Sequence, residues 1–250
     1  MTSETTVSFE RESSLVNVNL DLPQTPGRLE SYIADIERNF EQTLSRVREK
    51  IDIADIDVVV RDNPRRTIPE IGIGGRVVNT HRIDIDFDPE FEHFTEVINK
   101  QFPGLLAHEW HHCLRFRKLG LFRNLLQAMV HEGLADHFSC EITGLDPQPW
   151  DKALNPKQIR KFGKRALKEC RNEKYNNDDH NAWFFGCSQR RFSRKAKIPR
   201  WAGYTLGYTV IEEYLKRNPG VEVSELYDVD AEEFYDCLEA IVKDSQNIKK

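Results

Sequence analysis

At 250 residues, 39% of them hydrophobic, the chain is long enough to bury a sizeable core without disulfide support. Its five cysteines, Cys113, Cys140, Cys170, Cys187 and Cys237, are odd in number and form no CxxC pair. That excludes a disulfide framework and a cysteine zinc knuckle and points to reduced thiols. The net charge of -5 is unevenly spread: residues 151–200 hold fifteen Lys or Arg against five Asp or Glu, leaving this stretch at +10 and the remainder at -15. Lys157, Arg160, Lys161, Lys164, Arg165 and Lys168 recur at spacings that give a helix a solvated face, so no nucleic-acid partner is expected.

The opening Met-Thr-Ser-Glu-Thr-Thr has no basic start leading into an apolar run, and no apolar stretch reaches membrane-spanning length. A cytoplasmic chain without membrane association is therefore expected. Residues 1–25 are polar and read as partly extended or disordered. Ile33, Ile36, Phe40, Leu44 and Val47 recur at three- and four-residue steps, predicting an amphipathic helix over 29–49. Ile56 to Val60 reads as a buried strand, and residues 82–88 alternate strictly, setting Ile83, Ile85 and Phe87 on one face. Gly72, Gly74 and Gly75 read as bends between strands. Pro103 and Gly120 bracket a helix, and a second is expected from about Phe122 to Thr143. Further helices are expected at 156–173, 199–217 and 230–243, the last capped by Asp230.

Five of the eight histidines fall between positions 108 and 137, and the cluster opens with His108-Glu109-Trp110-His111-His112. Positions i and i+4 of a helix lie one above the other, so His108 and His112 can present two imidazole nitrogens to one zinc ion. Glu109 is turned about 100° from His108, which places its carboxylate beside the ion as a general base. Leu106, Trp110, Cys113 and Leu114 supply a buried side roughly opposite His108. Glu132 follows His112 by nineteen intervening residues, and a helix returning after a turn near Gly120 would bring it beside the histidine pair. Asp136, one turn beyond, could accept the second ring N–H of a zinc-bound histidine. Three protein ligands with one position left open make a catalytic site rather than a closed structural one. His111 and His131 adjoin these residues, and a His108–His111 pairing would leave Glu109 and Glu132 without roles. His81, His93 and His137 read as ordinary surface or hydrogen-bonded histidines.

The pattern of His108, Glu109, His112, Glu132 and Asp136 resembles the gluzincin peptidases, the thermolysin-like group, although His131 and Ala135 stand where that group usually has Asn and Ser. The chain is also similar to a bacterial family of predicted zinc-dependent proteases, formerly a domain of unknown function. That resemblance rests on Leu-Leu-Ala-His-Glu-Trp-His-His, Glu-Gly-Leu-Ala-Asp, and Ile-Pro-Arg-Trp-Ala-Gly-Tyr-Thr-Leu-Gly-Tyr at 198–208. It implies a zinc metallopeptidase acting on a peptide or protein substrate. Such an enzyme needs a donor for the developing oxyanion. Tyr204 and Tyr208, i and i+4 on one expected helix beside Gly203 and Gly207, are the leading candidates, with His180 a weaker one.

The expected fold is an α+β zincin-like single domain over 1–250. A small, mostly antiparallel sheet and a helix occupy 26–100, covering the active-site helix; 101–250 is helical and carries the metal site. An edge strand such as 82–88 could pair with an extended substrate. The rival readings are a non-catalytic zinc-binding or interaction module, and a zinc amidase or esterase acting on a non-peptide bond.

Overall fold

Five segments of the N-terminal part pair into one sheet: β1 (Glu4–Phe9), β2 (Val16–Asp21), β3 (Ile56–Asp62), β4 (Ile73–Asn79) and β5 (Arg82–Phe87). Their spatial order is β1-β2-β3-β5-β4. The computed structural model describes residues 4–9, 16–22, 27–53, 55–186 and 197–244. Cys187 and the basic stretch 190–196 fall outside them. The chain divides into two compact units, Met1–Lys118 with Phe138–Leu145, and Leu119–His137 with Asp146–Lys250.

In the first unit the sheet is mixed rather than mostly antiparallel. β1 pairs antiparallel with β2 and β4 with β5, whereas β2 pairs parallel with β3 and β3 with β5. Helix α1 (Ile33–Lys50) separates β2 from β3 in sequence, and a helical crossover of that kind brings consecutive strands side by side in parallel. The second parallel pair arises because the β4–β5 hairpin inserts its second strand, not its first, beside β3. The strand at 82–88 is therefore interior, and the edge falls on β4. Of the three glycines expected to bend the chain, Gly72 does so at φ 68°, while Gly74 and Gly75 lie within β4.

The apolar stripe of α1 is as expected, with Ile36, Phe40, Leu44 and Val47 buried. Arg48 and Lys50 in its last turn complement the helix dipole. Ile83, Ile85 and Phe87 of β5 are fully buried on one sheet face, and Val58 and Val60 of β3 join them. A short helix, α2 (Phe94–Glu96), continues through a π-helical turn at Val97–Gln101 into α3 (Phe102–Leu119). Pro103 has no N–H to donate to the turn before it, and the wider turn, in which Phe102 N–H reaches the Val97 carbonyl, absorbs the mismatch. Trp110 of α3 packs on Phe40 of α1, ring centroids 5.8 Å apart.

Helix α4 (Leu125–Thr143) begins in the second unit and ends in the first. The rest of the second unit is helical: α5 (Pro156–Glu169), α6 (Asn177–Phe184), α7 (Ala202–Arg217) and α8 (Tyr235–Asp244). Asn155 and Gln158 form a reciprocal cap with Pro156 at the first turn of α5, and Asp230 caps the turn leading into α8. Helix α6 was not expected; Asn176 and Asp179 cap it in the same reciprocal way. Within this unit α4 and α7 approach at glycines. A Cβ on Gly207 would collide with the Met129 carbonyl, and one on Gly133 with the backbone of Gly207.

Candidate metal centre

Helix α3 carries the HExxH segment, and its residues from Leu106 to Arg115 are all buried. His108 and His112 stand one turn apart, ring centroids 4.3 Å apart at an interplanar angle of 78°. Helix α4 carries Glu132. Ligand-capable atoms of His108, His112 and Glu132 all lie within 4.8 Å of one another, and all three residues are buried. No other such group of three occurs among the described residues. Two imidazoles and a carboxylate form a donor set that suits zinc, which takes nitrogen and oxygen ligands at about 2.0–2.2 Å.

His111 and His131 stay outside this group. The His111 ring is fully buried against Phe138, centroids 5.5 Å apart, and neither ring nitrogen has a hydrogen-bond partner. Burial first, then the charges of Arg115, His112 and His108, hold its pKa well below that of an ordinary histidine. The His131 ring leans on Phe122 at 5.7 Å. His81 contacts the Asp55 carbonyl and Arg117, and His93 is exposed.

Glu109 points toward β4. A Cβ at Gly75 would lie 2.7 Å from Glu109 Oε1 and 2.8 Å from its Cγ, so a side chain at position 75 would displace the carboxylate. In the sequence Gly75 reads only as a bend. The signal for its role is its place in a strand that passes over the HExxH helix, and spacing alone does not reveal that. Asp136 is buried one turn after Glu132, and both of its oxygens lie 3.3 Å from the Trp150 indole N–H, which donates to them.

The tyrosines proposed from sequence lie on α7 as expected, each in an aromatic setting. Tyr204 meets Phe184 edge-on at 5.0 Å and tilts against Trp150 at 6.2 Å. Tyr208 stacks on His137 at 3.8 Å, and His137 Nε2 donates to the Tyr208 carbonyl at 3.0 Å. His180 is sandwiched between Phe122 and Phe184, centroids 5.2 and 4.4 Å away, while its Nδ1 meets the Tyr175 hydroxyl at 3.1 Å. Burial lowers the His180 pKa and the Glu132 charge partly offsets it. Burial, then the charges of Asp179 and Glu132, raise that of Tyr175. Both side chains thus sense the Glu132 carboxylate. Tyr175 precedes α6 and meets it through His180, and no motif in the sequence singles it out.

An α+β chain with a buried His-His-Glu set drawn from HExxH and a following helix has the metal site of a zinc protease. The chain belongs to the family described as predicted Zn-dependent protease (DUF2268), whose pattern it matches over residues 36–236, and zinc is the metal its donor set fits. No curated protein matches it. Among solved structures it is similar to an aminopeptidase N family protein from Idiomarina loihiensis, at TM-score 0.43 and 14% identity. The match covers 97% of this chain and 42% of that one, so the chain spans less than half of that protein's length.

Proposed function

We propose that the protein is a gluzincin-type metallopeptidase that hydrolyses peptide bonds in the cytoplasm. The observation carrying this reading is the convergence of His108, His112 and Glu132, with the Glu109 carboxylate placed next to them in sequence and held beside β4. Bound zinc would lower the pKa of its water and polarise the scissile carbonyl. Glu109 would take the proton at a carboxylate oxygen and return it to the leaving amine. Asp136 would steady a ligand imidazole from one turn beyond Glu132. For the oxyanion donor we favour Tyr204 or Tyr208, with His180, fixed by its aromatic sandwich and by Tyr175, as the competing choice.

Strand β4 supports a peptide rather than a small ester as substrate. Asp88 N–H donates to the Gly72 carbonyl at 2.9 Å, so in the antiparallel alternation Gly74 and Arg76 also face β5 with their peptide groups. The peptide groups of Gly75 and Val77 then point to the outer edge, beyond the place where Ile68 N–H donates to the Ile73 carbonyl, and an extended substrate backbone would add there.

The test is Glu109→Gln. Zinc should remain at about one per chain, while turnover of a peptide mixture falls by about 10² to 10⁴. Hydrolysis at the parental rate would show that Glu109 is not the base.

A further inference from the structure

On the sheet face opposite the apolar one, three guanidinium groups gather around Asp84, while Asp57 and Asp21 lie on the same face further along, on β3 and β2. Asp84 is 1% exposed, and three arginines converge on it from three strands. Arg61 of β3 approaches Asp84 at 2.8 Å and Arg82 of β5 at 2.9 Å, and Arg76 of β4 donates through Nε at 3.1 Å and through a second guanidinium nitrogen. Burial pushes the Asp84 pKa up, but the hydrogen bonds from Arg76 and Arg82 and the charge of Arg61 bring it below the usual range. One carboxylate answers three cations. Asp86, the next acid on this face, is occupied by the Asn63 side-chain amide. The Arg76 side chain remains 40% exposed on the edge strand.

Gly75 lies on the face of Glu109, so Arg76 lies on the opposite face. In an added strand, the residue paired with Gly75 points toward Glu109, and its two neighbours point to the arginine face. One neighbour sits across from Arg76, with Cβ atoms about 4.5–5.5 Å apart. The other falls toward Gly74, where the chain's own Arg66 and Thr67 backbone already lies against the strand and Ile68 bridges to Ile73, which leaves Arg76 as the side chain that faces an added residue.

We propose that Arg76 is a specificity residue that selects substrates with Asp or Glu beside the residue seated against Gly75. This deepens the peptidase reading and rests on it. The ion pair is partly solvated, so it discriminates modestly, by about two- to fivefold in kcat/KM. It also weakens as salt shortens the screening length.

The experiment profiles cleavage of a defined peptide library by the zinc-loaded enzyme. It then compares matched peptides with Glu, Gln or Lys at each position within two residues of the cut. The parent enzyme should favour Glu over Gln over Lys at one such position, less so at about 1 M salt. Arg76→Glu should reverse the order, and Arg76→Lys, which keeps the charge, should preserve it. An unchanged order in Arg76→Glu, or no charge preference in the parent, would overturn the assignment of Arg76 alone. No cleavage of any peptide by the zinc-loaded parent would overturn the peptidase reading and this inference together.

Discussion

Glu109 shows how tightly a single side chain is bounded by a neighbour without one. Gly75 leaves the space that the Glu109 carboxylate fills, and a methyl group there would come within 2.7 Å of Oε1. Gly75→Ala should therefore keep zinc at about one per chain yet reduce turnover by about 10- to 100-fold, since misplacement by about 1 Å can cost 10²-fold. Parallel measurement of metal content and turnover checks this; parental turnover would mean that the carboxylate is not held by this contact. The grouping of His108, His112 and Glu132 was legible in the sequence because helical periodicity stacks the histidines and the nineteen-residue gap lets the next helix bring Glu132 back beside them. The closeness of Gly75 to Glu109 and of Tyr175 to His180 was not, because each depends on which strand or helix passes nearby, and that is a property of tertiary structure.

Helices were readable where an apolar stripe marked them, as for α1, whereas the short α6 was missed although Asn176 and Asp179 cap it. The sheet was less so. Strand β4 contains two glycines, which read as bends, yet its close approach to α3 and to the Arg66 carbonyl leaves no room for side chains at either position. Parallel pairing of β2 with β3 could not be read either, since it depends on the path of α1 rather than on strand patterning. The α4–α7 crossing supports a prediction at the same scale. Ala is favoured over Gly inside an isolated helix by about 1 kcal/mol. At position 207 the added methyl meets the Met129 carbonyl, so Gly207→Ala should instead destabilise by about 1–3 kcal/mol. Chemical denaturation midpoints decide the sign, and stabilisation would mean that the helices do not cross so closely.

Across the whole molecule, His111, His137 and His180 are all held below their ordinary pKa of 6.5, in each case first by burial. The folded state therefore keeps them neutral at a pH where the unfolded chain would bind protons. Stability is fully present above about 6.5 and falls as the pH drops below it, toward the depressed folded values. Thermal unfolding of the metal-free protein between pH 7.5 and 5 should show this decline, and His137→Gln should flatten it. A decline unaltered by that change would remove His137 from the account. Among the described residues no helix is long and apolar enough to cross a membrane.

His108 and His112 of α3 and Glu132 of α4 form the set that would share one zinc ion. Zinc X-ray absorption on the purified, zinc-loaded chain tests it most directly, in the parent and in Glu132→Ala. The parent should bind about one zinc with two imidazole nitrogens and carboxylate oxygen at about 2.0–2.2 Å. Glu132→Ala should lose the ion or bind it far more weakly. An identical zinc environment and affinity in both proteins would contradict the account.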